Sequence, residues 1–127
     1  MQVRVASLAT AWELAESWAD KVVSLVDPNT DLPNFPMPHL VVHMHDTEVI
    51  TDPWSPKRDD IAQVFNFCQP EDKVVVHCEG GISRSTAMSI GLLVRDDVSI
   101  ADSVSQVHSQ SPRMAPNLLI QIGRAHV

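Results

Sequence analysis

The chain has no tyrosine, only two cysteines and only four glycines among its 127 residues. Two cysteines, Cys68 and Cys78, cannot supply the disulfide framework on which small secreted domains depend, so a hydrophobic core must carry the fold. Free thiols are at home in a reducing cytoplasm. Basic residues are also scarce: nine Lys and Arg stand against sixteen Asp and Glu, giving a net charge of −7. That balance excludes recognition of a nucleic-acid backbone by broad positive potential. An anionic substrate would have to be held by a local positive site instead. No run approaches the roughly 20 apolar residues of a membrane span. The opening segment, with Arg4 and Glu13, lacks the apolar centre of a signal peptide.

What the chain does have is ordinary globular composition, 44% hydrophobic and 20% charged, over a length that suits a single domain spanning 1–127. Apolar runs and breakers alternate as in an α/β domain. Val3 to Ala6, Val22 to Val26, Leu40 to Met44 and Val74 to Val76 read as strands, the last as the most central. Ser7 or Thr10 can cap a helix running to about Trp18, with Leu8, Trp12, Ala15 and Trp18 at helical spacing and both tryptophans facing the core. Asp27 to Pro38 holds four prolines and reads as loop. A helix starting at Ser55-Pro56 buries Ile61, Val64, Phe65 and Cys68, with Asp59 and Asp60 favouring its first turn. Further helices run to about Arg95, from Ser99 to near Pro112, and onward from Pro116. The expected architecture is a central, mostly parallel sheet of four to five strands flanked by helices.

The informative stretch is the strand at Val74 to Val76 running into His77-Cys78-Glu79-Gly80-Gly81-Ile82-Ser83-Arg84-Ser85, with a helix beginning near Arg84. A thiolate in such a loop sits beneath backbone N–H groups and the positive end of a helix, both of which stabilise it. The same N–H groups cradle phosphate. Gly80 and Gly81 permit close backbone approach or positive φ. Arg84 adds a planar fork matched to two phosphate oxygens.

His77-Cys78, five residues, then Arg84-Ser85 resembles the signature of the protein tyrosine phosphatases, and is most similar to their small dual-specificity branch. Asp46, just past a strand, matches the position of that branch's general acid. Ser111-Pro112-Arg113-Met114-Ala115-Pro116-Asn117 resembles its proline-asparagine turn, so the likeness covers roughly Leu40 to Asn117. The resemblance implies a phosphocysteine mechanism with Cys78 as nucleophile and Asp46 as acid and then base. Arg84 and the loop from Glu79 to Ser83 would hold the phosphoryl group, and Ser85 would assist the sulfur. His77 would order the loop, Asn117 a turn beside it, and no metal or other cofactor is implied. The substrate would be a phosphorylated protein or a small phosphomonoester, at a shallow site permissive for phosphotyrosine, phosphoserine and phosphothreonine. Glu79, Gly81 and Ile82 stand where phosphoinositide-selective relatives carry lysines.

Alternatives attach to several residues. Asp52, in Thr51-Asp52-Pro53-Trp54, rivals Asp46 as the acid, and Trp54 is a candidate for the substrate entrance. His43 and His45 share a strand face, the beginning of a metal site without evident third and fourth ligands. Cys68 reads as a core residue, or as a reversible disulfide partner for Cys78, a device some relatives use. A phosphate-recognition module without turnover is the rival function, followed by an arsenate reductase or sulfur-transfer enzyme. The missing tyrosines, the unassigned proline-rich loop and a chain that stops at Val127, soon after the expected last helix, depart from the family pattern.

Overall fold

Four β-branched, apolar segments form the sheet: β1 (Gln2–Ala6), β2 (Lys21–Val26), β3 (His39–His43) and β4 (Lys73–His77). The computed structural model describes residues 1–124; residues 125–127, including Val127 at the chain end, lie outside the described part. The strand order is β1-β4-β2-β3 and every pairing is parallel, so the expected sheet is found with four strands and β4 in its interior. Parallel neighbours require crossovers. Helix α1 (Ala11–Trp18) supplies the first, and α2 (Arg58–Phe67) joins β3 to β4. The link from β2 to β3 is the proline-rich loop. Three helices follow β4: α3 (Arg84–Arg95), α4 (Ile100–Gln110) and α5 (Leu118–Arg124).

Alternation along the strands divides the core into two layers. Val23, Leu25, Val74 and Val76 face α2, α3 and α5, joined by Ile61, Val64, Met88, Leu92 and Ile120. Val22 and Val75 face the opposite way, against Ala11 and Ala15 of α1 and against Phe35, which the proline-rich loop tucks in. Trp18 packs beside that smaller core with the Arg4 guanidinium 4.4 Å from its ring. Trp12 lies 37% exposed and meets Phe35 at 5.6 Å, so it lines the rim and not the interior.

The remaining differences from expectation are local. Leu8 precedes α1, which starts after Thr10, and its N–H is used elsewhere. Helix α2 begins at Arg58, three residues beyond Ser55, because Asp60 folds back to accept the Lys57 N–H and fixes the first turn there. Cys68 is the residue that ends α2, still buried in the larger core. Ser99 caps α4 by accepting the Asp102 N–H. Strand β1 lies at a sheet edge, where the Gln110 side-chain amide accepts from the Val5 N–H at 2.8 Å and donates to the Val3 carbonyl at 3.1 Å.

Candidate active site

All four parallel strands end at one rim, the place where open α/β sheets present their ligand crevice. β2 delivers Asp27 there, β3 delivers Met44, His45 and Asp46, and β4 delivers Cys78. A cavity of about 450 Å³ opens among Asp27, Asp46, Cys78, Gly80, Ser83 and Arg84, with His45, Glu79 and Ile82 completing its wall.

Hydrogen-bond bookkeeping explains the loop between β4 and α3. The Cys78 carbonyl accepts from His77 Nδ1 at 3.0 Å, and the Glu79 carbonyl from the Leu8 N–H at 2.9 Å. Ser111 Oγ donates to the Gly81 carbonyl at 2.7 Å, and the Ala115 N–H to that of Ile82 at 2.8 Å. Ser83's carbonyl takes the Asn117 N–H at 3.2 Å. These carbonyls are therefore turned outward, into the protein. Among the described residues, no backbone N–H from Glu79 to Ser85 finds a protein acceptor. Donors left without a protein acceptor turn to water or to a bound anion. A ring of them at the start of a helix is a nest for an anion. Gly81 makes the loop possible, with φ at +68° and only 3.1 Å between a Cβ placed there and the backbone of Ala6 and Ser7.

Inside that ring Cys78 is almost fully buried, and its Sγ lies 3.1 Å from Ser85 Oγ. Arg84, 4% exposed, gives Nη1 to the Asp27 carboxylate and to the Met44 carbonyl, each at 2.8 Å. Its Nε is buried without a partner. The guanidinium is thus clamped at one end while the edge carrying Nε keeps a donor free, the edge with which arginine grips two oxygens at once.

The structure separates the two candidate acids. Asp46 lines the cavity and accepts hydrogen bonds from Ser83 Oγ at 2.7 Å and Asn117 Nδ2 at 3.1 Å. Asn117 also donates to the Thr47 carbonyl and accepts from the N–H groups of Leu119 and Ile120, so one side chain starts α5 and holds the loop that carries Asp46. Asp52 lies outside the cavity wall, turned toward His45 Nδ1 at 2.9 Å and the Trp54 N–H at 2.8 Å. The hydrogen bond from His45, then that from Trp54, holds its carboxyl below the usual carboxylate range. Trp54 is 45% exposed and stands behind His45, and its side chain forms no part of the cavity wall.

His43 and His45 do not assemble a metal site: among the described residues no group of three or more His, Cys, Asp or Glu has the spacing to hold an ion. Cys68 and Cys78 are both free thiols. Burial pushes the Cys68 thiol up to about 11, which disfavours its thiolate. Sequence reasoning missed Asp27, because its partnership with Arg84 joins the end of β2 to the start of α3, far apart in the chain. The strand-ending Asp27-Pro28 was its only local signal.

No protein-family model and no curated protein matches the chain. Solved structures do. Human DUSP28 superposes with a TM-score of 0.76, covering 98% of this chain and 89% of that one, at 21% identity. The human tyrosine phosphatase-like serine/threonine/tyrosine-interacting protein gives the same score and coverage at 19% identity. A mouse putative dual specificity phosphatase complexed with zinc tungstate gives 0.75 over 98% of this chain and 80% of that one, at 20% identity. The chain therefore has the fold of the small dual-specificity branch of the protein tyrosine phosphatases.

Proposed function

We propose that the protein is a cysteine-dependent phosphomonoester hydrolase acting on phosphorylated protein or a small phosphomonoester. The observation that carries this reading is one pocket lined by Cys78 and Arg84 and by a loop whose N–H groups, like Arg84 Nε, have no protein acceptor. The phosphoryl group binds with its equatorial oxygens on those donors, whose charge stabilisation grows as the transition state forms. Cys78 attacks phosphorus as the thiolate. The ester P–O bond breaks, and the departing oxygen takes the proton carried by Asp46. Water then attacks the phosphocysteine, gives its proton to the Asp46 carboxylate, and the S–P bond breaks to release inorganic phosphate. Ser85, in contact with Sγ, supports the sulfur as it leaves. Ser83 and Asn117 hold Asp46 over the cavity. The free thiols suit a reducing compartment, the cytoplasm.

The fold is shared by a protein described as a putative dual specificity phosphatase and by one described as tyrosine phosphatase-like and interacting, so fold alone does not separate turnover from binding. The retained thiol–hydroxyl pair and the placed carboxylate favour turnover. Hydrolysis of p-nitrophenyl phosphate in EDTA is the direct test. Wild type is expected to turn over, and Cys78→Ser to lose turnover while still binding tungstate. A folded, reduced wild type that binds tungstate without turnover would leave the recognition module as the function. Asp46→Asn is expected to lower kcat on a phosphoserine peptide roughly 10²- to 10⁴-fold, and less on p-nitrophenyl phosphate, whose leaving group needs little help. Unchanged activity on the peptide would move the acid role to Asp52.

A further inference from the structure

Beneath the loop, a chain of side chains runs through the smaller core. The parallel register pairs Ser24 of β2 with His77 of β4, and sets His39 of β3 diagonally across from Ser24 on the same face. Ser24 Oγ is hydrogen-bonded to His77 Nε2 and, at 2.7 Å, to His39 Nε2. His77 Nδ1 meets the Cys78 carbonyl at 3.0 Å. Both Ser24 and His77 are fully buried.

The direction of every proton in this chain follows from its end. A carbonyl can only accept, so His77 carries hydrogen on Nδ1. Burial, reinforced by the nearby charge of Arg84, disfavours protonated His77 despite the supporting bond to the Cys78 carbonyl. Neutral His77 has a bare Nε2, which accepts the Ser24 hydroxyl proton. The Ser24 oxygen then accepts from His39, whose hydrogen sits on Nε2. Burial disfavours protonated His39 as well, and charge on His77 would add to that. The Phe35 ring lies edge-on to His39 at 4.7 Å and 6.2 Å from His77, closing the other side with an apolar surface.

We propose that Ser24 and His39 are positioning residues for Cys78, forming with His77 a proton-ordered relay that fixes the Cys78–Glu79 peptide. A trans peptide points its carbonyl and N–H in opposite directions. Holding the Cys78 carbonyl against His77 therefore aims the Glu79 N–H away from it, into the pocket, where that donor has no other partner. The relay prepays the orientation of a dipole that stabilises negative charge on sulfur. Its effect on turnover rests on Cys78 being the nucleophile; its effect on the thiol does not.

The test is the rate at which iodoacetate alkylates Cys78 between pH 5 and 8 in the intact protein, located by mass spectrometry, with thermal midpoint and p-nitrophenyl phosphate turnover measured alongside. Ser24→Ala is expected to displace the alkylation profile by about one unit to higher pH, which is a slowing of about tenfold on its acid limb. His39→Leu is expected to do the same, whereas His39→Gln, which keeps a donor at the Nε2 position, should restore the parent profile. A merely structural role would lower the thermal midpoint and leave the alkylation profile in place. Ser24→Ala with the parent profile would overturn the proposal. If Ser24→Ala does not fold, the His39 pair decides, and identical profiles for Leu and Gln would overturn it equally. A parent protein that shows these alkylation shifts but hydrolyses nothing would remove the phosphatase reading and leave the relay standing.

Discussion

At Gly81 the backbone sits at φ +68°, and a methyl group there would press within 3.1 Å of the Ala6 carbonyl and the Ser7 nitrogen. At Gly80 the nearest heavy atom to such a methyl is Ile82 Cδ1 at 3.5 Å, an ordinary contact with a side chain that can move. The two glycines are equivalent in the sequence, where both simply permit an unusual loop; the close approach of the β1 end separates them. Gly81→Ala is expected to cost about 1–3 kcal/mol in urea unfolding, and Gly80→Ala less than about 0.5 kcal/mol. Equal costs would mean that the loop is not pressed against Ala6. Cys78, Arg84 and Ser85 were legible because the loop chemistry is written in consecutive residues. Asp27 was not, since an aspartate before a proline reads as a turn until Arg84 is found beside it.

Elements bring their own pH dependence. His39 opens β3 and His77 closes β4, and burial holds both imidazoles below their ordinary value of 6.5. The unfolded chain thus takes up protons at a pH where the folded chain still refuses them. Stability is then full above about pH 6.5 and declines as the pH falls from there toward 5. The thermal midpoint should drop over that window, and His77→Gln should flatten the decline. A midpoint constant from pH 7 to 5 would contradict the neutral histidines. The segment between β3 and α2 shows where reading by element fails. Asp46 and Asp52 occupy one loop and carry the same chemistry, and only the contacts of Ser83 and Asn117 with one, and of His45 with the other, assign them different surroundings. Helix starts drifted for a similar reason: Asp60 decides where α2 begins by bonding back to Lys57, a choice that Ser55-Pro56 does not reveal.

For the molecule as a whole, the strand pattern was legible because parallel strands buried on both faces are continuous apolar runs. The order β1-β4-β2-β3 was not, since pairing between distant segments leaves no local mark. An overall charge of −7 surrounds a pocket with one buried arginine. On the proposed function, an anionic substrate would approach against the general field and be captured only at short range. Raising sodium chloride from low concentration should lower KM for p-nitrophenyl phosphate as that repulsion is screened; a rise in KM would point to attractive steering. The Gln110 amide at the free side of β1 bears on how the molecule tolerates crowding by its own copies. Exposed strand edges invite docking by a neighbour's strand, the first step of domain exchange and fibrous aggregation. Here the Val5 donor and the Val3 acceptor are already occupied by a side chain that mimics a strand and cannot be extended by another. One glutamine thus ends the sheet at β1, so that the fold can be held at high concentration without zipping into its neighbours along that edge.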